Sequence, residues 1–223
     1  MRKLLIKILS PFLRLFAKLY YTKPRKFNYK GVQAIVLPGV FHPFFTISTK
    51  LLLEFIDKID LDKKSFLELG CGTGIISVLA ARKGARVVAT DINSKAIENV
   101  HLNAERNEVR IESIFSDLFT AIPKQDFDFI VINPPYYPKN PKDDKEKAWF
   151  CGEEFEYFQQ LFMTIKNYFN QDSKVYLILS EDCELEIIRQ LAKKNSLEFK
   201  TVLEKRRMGE WNFIFQLNSI LAE

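Results

Sequence analysis

Four consecutive residues, Asn133-Pro134-Pro135-Tyr136, carry the most specific chemical signal in this 223-residue sequence. The two prolines lock φ and contribute no N–H, so the asparagine before them is held extended, its side chain projecting rigidly. A side-chain carbonyl and the backbone carbonyl that follows can both accept hydrogen bonds from an NH2 group. They orient its lone pair and stabilise the positive charge developing on it, without a strong base. Tyr136 offers a face on which a planar group can stack. The chemistry these parts suit is transfer of a methyl group to an amide or amino nitrogen conjugated with a π-system.

A second stretch, Ser65 to Gly74, reads Ser-Phe-Leu-Glu-Leu-Gly-Cys-Gly-Thr-Gly and runs directly into a helical pattern over Ile75 to Lys83. Three glycines in five residues let the backbone approach a ligand and adopt positive φ. The spacing is Gly-x-Gly-x-Gly, preceded by Glu68, and departs from the dinucleotide fingerprint Gly-x-Gly-x-x-Gly. This turn resembles the first motif of class I S-adenosylmethionine-dependent methyltransferases, and Asn-Pro-Pro-Tyr resembles the signature of those that methylate adenine N6, guanine N2 or glutamine N5. The segment Pro38-Gly-Val-Phe-His-Pro43, followed by Ser48-Thr49, is similar to the cofactor-covering segment of the "small" methyltransferase domains. That group includes ribosomal-RNA guanine methylases and release-factor glutamine methylases.

The resemblance implies S-adenosyl-L-methionine as cofactor, contacted by Thr49, Glu68, Gly70, Cys71, Gly72, Gly74, Asp91, Ile92, Asp117, Leu118 and Asn133. Asn133, Pro134, Pro135 and Tyr136 would be the catalytic set. Thr49 or Ser48 reads equally well as a helix N-cap.

The elements that must position these residues alternate regularly. Strands are expected at Ser65 onward, Arg86 to Thr90, Val109 to Ile114, Phe127 to Ile132, Lys174 to Leu179, Leu197 to Glu204 and Trp211 to Leu217. Helices are expected over Ile47 to Ile59, Ile75 to Lys83, Ser94 to Arg106, Glu153 to Tyr168 and Glu184 to Lys194. Strands separated by helices make an α/β fold with a largely parallel sheet. The last two strands, joined only by Lys205 to Glu210, should pair antiparallel. A Rossmann-like seven-stranded sheet with one reversed strand near the edge is also what the resemblance implies.

Ligands of such sheets lie beyond the carboxyl ends of the strands, where strand order reverses. Glu68, Asp91, Asp117 and Asn133 all fall there. Asp91, 21 positions after Gly70, is suited to both ribose hydroxyls, Asp117 to an adenine amine, and Glu68 with the turn to the methionine end.

Composition bounds the rest. The chain is 47% hydrophobic and 27% charged, with net charge +5, which mildly favours an anionic partner. Cys71, Cys151 and Cys183 form no Cys-x-x-Cys pair, so neither a disulfide framework nor a zinc site is suggested and a cytoplasmic location fits. His42 and His101 are too few for a His-rich metal cluster, and no metal is expected.

Residues 1–45 read as an N-terminal helix and hairpin packed on a methyltransferase domain over 46–223. In the segment Met1 to Tyr21, Lys3, Lys7, Arg14 and Lys18 share one stripe of a helix; packing on its own domain is favoured over a membrane-surface or RNA-docking role, and no membrane span is expected. Tyr137 to Gly152 reads as a solvated lid over the acceptor, and Lys205-Arg206-Arg207 as a solvated basic turn on the same sheet edge. One compact domain carrying all the motifs favours a release-factor-type glutamine acceptor. An RNA amino group is the alternative, and a non-catalytic cofactor- or RNA-binding module a further one.

Overall fold

A computed structural model describes residues 22–43, 46–143 and 146–220 of the chain. The helix expected over Met1 to Tyr21 lies outside the described residues.

A hairpin of β1 (Arg25–Tyr29) and β2 (Val32–Val36) precedes helix α1 (Ile47–Ile56). Then follow β3 (Ser65–Leu69), α2 (Ile75–Arg82), β4 (Arg86–Asp91), α3 (Ser94–Arg106), β5 (Ile111–Phe115), β6 (Phe129–Ile132), α4 (Glu156–Thr164), β7 (Lys174–Ser180), α5 (Leu185–Lys194), β8 (Leu197–Arg207) and β9 (Glu210–Ser219). Strands β3 to β9 form one sheet in the order β5-β4-β3-β6-β7-β9-β8. Strands β3 to β7 pair parallel, and β9 runs antiparallel to both β7 and β8. The expected single reversed strand is therefore β9, one place in from the edge. The chain departs from β3 toward β5 and later from β6 toward β8, so the strand order reverses between β3 and β6.

The unbroken Phe-Ile-Val-Ile of β6 is buried on both faces, as expected of a central parallel strand. Phe129 and Val131 pack into a cluster with Leu52, Ile56, Val78 and Leu79 of α1 and α2. Ile130 and Ile132 face Phe158, Leu161 and Phe162 of α4 and Ile188 of α5.

The connection between β8 and β9 is shorter than the sequence implies. Met208 and Gly209 alone make the turn, both at positive φ (48° and 82°), the backbone of a two-residue hairpin whose twist matches the strands. Lys30-Gly31 makes the same turn between β1 and β2. Helix α4 starts later than expected because Phe155 is left-handed (φ 59°), and Ile165–Tyr168 continues it as a 3-10 turn.

Among the described residues, strand β2 has no sheet neighbour on its second edge. Two asparagines of α3 and the one that caps its C-terminus take that place. Asn107, Asn103 and Asn99 accept the N–H groups of Gln33, Ile35 and Leu37 at 3.0, 2.8 and 2.9 Å. In return Asn107 Nδ2 donates to the Gln33 carbonyl, while Asn103 and Asn99 both donate to that of Ile35. Four helical residues rise about 6.0 Å, and two strand residues advance about 6.6 Å, so residues four apart on α3 keep step with alternate residues of β2. The other side of β2 buries Val32, Ala34 and Val36. Asn103 also donates to the Thr73 carbonyl at 2.9 Å, which ties the hairpin to the glycine turn.

Candidate active site

The glycine turn is held from β4. Gly70 N and Cys71 N both donate to the Thr90 carbonyl at 2.9 Å, Gly72 N donates to Asp91 Oδ2 at 2.8 Å, and Gly74 N donates to the Cys71 carbonyl at 2.8 Å. A phosphate-binding turn needs its N–H groups and the following helix start open toward the anion. Here four of those groups are spent on the protein itself. The helix start is spent as well, since Ser77 donates its N–H (2.8 Å) and its hydroxyl to Glu68 Oε2. A carboxylate thus occupies the place at the start of α2 where a nucleotide would put phosphate.

Burial pushes the Glu68 carboxyl up to about 8, against the two Ser77 hydrogen bonds that favour its ionised form. Burial also raises Asp91, opposed by the N–H groups of Asn93, Gly72 and Ile92. Asp91 Oδ1 receives Asn93 N at 2.8 Å, so each of its oxygens is oriented by the backbone and keeps a lone pair for a ligand hydroxyl.

These groups line a cavity of about 1040 Å³ at the carboxyl ends of β3, β4, β6 and β7. That volume lies just above the usual range for small-molecule sites, about 300–1,000 Å³. Thr49, Glu68, Gly70, Cys71, Gly72, Asp91, Ile92, Asp117, Leu118, Asn133, Pro134, Pro135 and Tyr136 all line it. Gly74 does not. It is the N-cap of α2 (φ 69°), and a Cβ there would lie 2.7 Å from Cγ2 of Val100, so its glycine serves the packing of α2 on α3.

Neither Ser48 nor Thr49 caps α1; Thr46 is its N-cap. Asn133 Nδ2 donates to Thr49 Oγ1 at 3.4 Å. Tyr136 is half-buried with its ring 4.7 Å from that of Tyr137, and burial raises both phenols.

Two loops close over the cavity. Phe41 of the segment after β2 meets Trp149 with ring centroids 4.8 Å apart. The 137–152 segment is pinned at its base by Tyr137 N to the Trp149 carbonyl (3.1 Å), Cys151 N to the Tyr137 carbonyl (3.0 Å) and Gly152 N to the Lys139 carbonyl (3.1 Å). Tyr157 of α4, its phenol raised by burial and by Asp91 and Asp117, also lines the wall, as do Glu210 and Asn212 of β9. Sequence reasoning missed Tyr157, Glu210 and Asn212, because only the folded topology brings them to one place, whereas Phe41 lies in the 38–43 segment already singled out by the resemblance. The basic turn is not a free cationic patch: Lys205 Nζ lies 2.6 Å and Arg207 Nη2 3.7 Å from the Glu54 carboxylate of α1.

The donor set fits S-adenosylmethionine. It offers carboxylates for hydroxyls and cationic groups, a glycine turn for close approach and no phosphate cradle. Fold and site together define a class I S-adenosylmethionine-dependent methyltransferase. Residues 31–152 match the profile of the methyltransferase small domain, more than half of the chain, and the chain belongs to that family.

Over 198 residues it is 32% identical to a Methanocaldococcus jannaschii protein provisionally named as a protein N5-glutamine methyltransferase, covering 85% of this chain and 96% of that one. It is 34% identical over 133 residues to the ribosomal RNA small subunit methyltransferase C of Hamiltonella defensa, covering 58% of this chain but only 38% of that one. Among solved structures, the T. thermophilus 16S rRNA N2 G1207 methyltransferase in complex with AdoMet and guanosine superposes with a TM-score of 0.61 at 19% identity, over 86% of this chain and 50% of that one. The protein is a methyltransferase that uses S-adenosylmethionine. Among the described residues there is no candidate metal cluster, and no helix is long and apolar enough to cross a membrane.

Proposed function

We propose that the acceptor is the side-chain amide nitrogen of a glutamine in a protein. The observation that carries this reading is the near end-to-end match with the archaeal relative named for that activity, against a match to only 38% of the RNA methyltransferase. The pairing of Lys205 and Arg207 with Glu54 supports it, since this one carboxylate offsets one of the two positive charges and engages groups that a phosphate backbone would use.

S-adenosylmethionine supplies the electrophilic methyl group when bound. We assign its nucleoside to Asp91, Ile92, Asp117 and Leu118, and its amino-acid end to Glu68 and the turn at Gly70, Cys71 and Gly72. The chain presents the acceptor: Asn133 Oδ1 and the backbone carbonyl that follows accept its two N–H hydrogens. Pro134 and Pro135 keep those acceptors rigid, and Tyr136 flanks the amide plane. A carboxamide nitrogen is a weak nucleophile because its lone pair is delocalised. Hydrogen bonds that turn this lone pair toward the donor and strengthen as positive charge develops lower the barrier, and the surplus proton leaves to solvent. The three buried free cysteines suit a reducing compartment, and the cytoplasm is the proposed location.

The test is label transfer from methyl-labelled cofactor into cell extract. Label removed by protease and recovered as methylated glutamine is the expected result. Label removed by RNase would move the assignment to an RNA amino group, and no label at all would favour a binding module.

A further inference from the structure

Thr49 is buried, 6% exposed, and its hydroxyl sits between two partners. It receives Asn133 Nδ2–H at 3.4 Å and lies 2.9 Å from Thr46 Oγ1, which in turn donates to the Pro43 carbonyl at 3.4 Å. Only one ordering of protons satisfies all three contacts. Thr46 spends its hydrogen on the carbonyl, so it must accept from Thr49, whose hydrogen is thereby used and whose lone pair takes the asparagine. The chain runs one way, from Asn133 through two hydroxyls to a backbone carbonyl that can only accept. It also comes at a local cost. Thr46 is the N-cap of α1, yet its hydroxyl makes no capping bond to the helix backbone, forgoing an interaction that threonine normally makes in that position.

An amide has two ends, which pack almost identically. Flipped, Asn133 would offer Nδ2 to the acceptor and repel an NH2 group instead of orienting it. The Thr46-Thr49 chain terminates in an acceptor and so holds the Nδ2 end. No donor among the described residues reaches Asn133 Oδ1, and Asn133 lines the cavity.

We infer that Thr49 is a positioning residue, whose hydroxyl, ordered by Thr46 and the Pro43 carbonyl, fixes the amide of Asn133 with its oxygen toward the acceptor. This rests on the methyl-transfer reading of the site, and gives Thr49 a role different from the cofactor contact that the family resemblance implies.

Thr49→Val keeps the shape and removes the hydroxyl. The expected result is a fall of about tenfold or more in the rate of label transfer into the protein fraction of a cell extract, with affinity for S-adenosylhomocysteine within about threefold of the parent, as loss of one buried hydrogen bond at the reacting group predicts. Thr49→Ser restores most of the rate. A second readout needs no acceptor: the side-chain amide resonances of Asn133, assigned by their loss in Asn133→Ala, show slowed hydrogen exchange in the parent and lose that protection in Thr49→Val. Affinity falling in step with rate, or an unchanged rate with unchanged amide protection, overturns the inference. If the unaltered protein transfers no label to protein, the glutamine reading fails by itself, and the amide protection still decides the role of Thr49.

Discussion

The Asp91 carboxylate and the Gly72 N–H meet at 2.8 Å, which joins the acid ending β4 to the middle of the turn following β3. A residue proposed to hold the ribose therefore also shapes the loop beside it. Asp91→Ala should raise the dissociation constant of S-adenosylhomocysteine about 30- to 100-fold by calorimetry, the scale of one lost charge-assisted contact plus a loosened turn. Asp91→Asn, which keeps one acceptor oxygen, should lose less.

Asn133→Ala is expected to abolish methyl transfer while S-adenosylhomocysteine affinity stays within a few-fold. Loss of binding equal to that of Asp91→Ala would overturn the division of roles between the two residues.

Glu68 gives a pH signature. Its folded value, about 8, lies above the ordinary 4.5. Between these values the folded chain keeps a proton that the unfolded chain has released, so this group's contribution to stability declines as pH rises through that window. In cofactor-free protein, the melting temperature of Glu68→Gln minus that of the parent should become more positive from about pH 5 to about pH 8. A difference independent of pH would mean that Glu68 is already ionised in the folded state at neutral pH.

Gly74→Ala is a packing test. The added methyl would meet Val100 at 2.7 Å on a backbone at φ 69°. Denaturant unfolding should show a loss of about 1–3 kcal/mol.

Asn103→Leu should leave the Ile35 N–H and the Thr73 carbonyl without this partner. Unfolding free energy should drop by about 2 kcal/mol, and limited proteolysis should cut first within residues 22–40.

What the sequence revealed was local. The glycine turn, the buried run of β6 and the Asn-Pro-Pro-Tyr segment are each written in consecutive residues, so their residue types announce them although their partners lie far along the chain. The extent of β8 and β9 was hidden because methionine at position 208 gives no sign of the left-handed backbone it adopts. Glu68 was legible as a site acid but not as the group that occupies the start of α2 through Ser77, since that pairing exists only once β3 and α2 are packed. On α3, Ala96, Val100 and Ala104 fall at helical spacing and are buried. The asparagines at 99, 103 and 107 looked like ordinary polar helix positions, and nothing in their spacing pointed to a strand 62 to 74 residues earlier.

That asparagine stripe works like a vernier, two scales of nearly equal pitch read against each other. Substitution outside its rungs should be tolerated, a change in chain length should not. One residue inserted between Val32 and Val36 would turn the apolar side of the strand outward and present the carboxamides with the edge already claimed by β1. Length variants in this segment should therefore be far more disruptive than the exposed setting of a hairpin suggests.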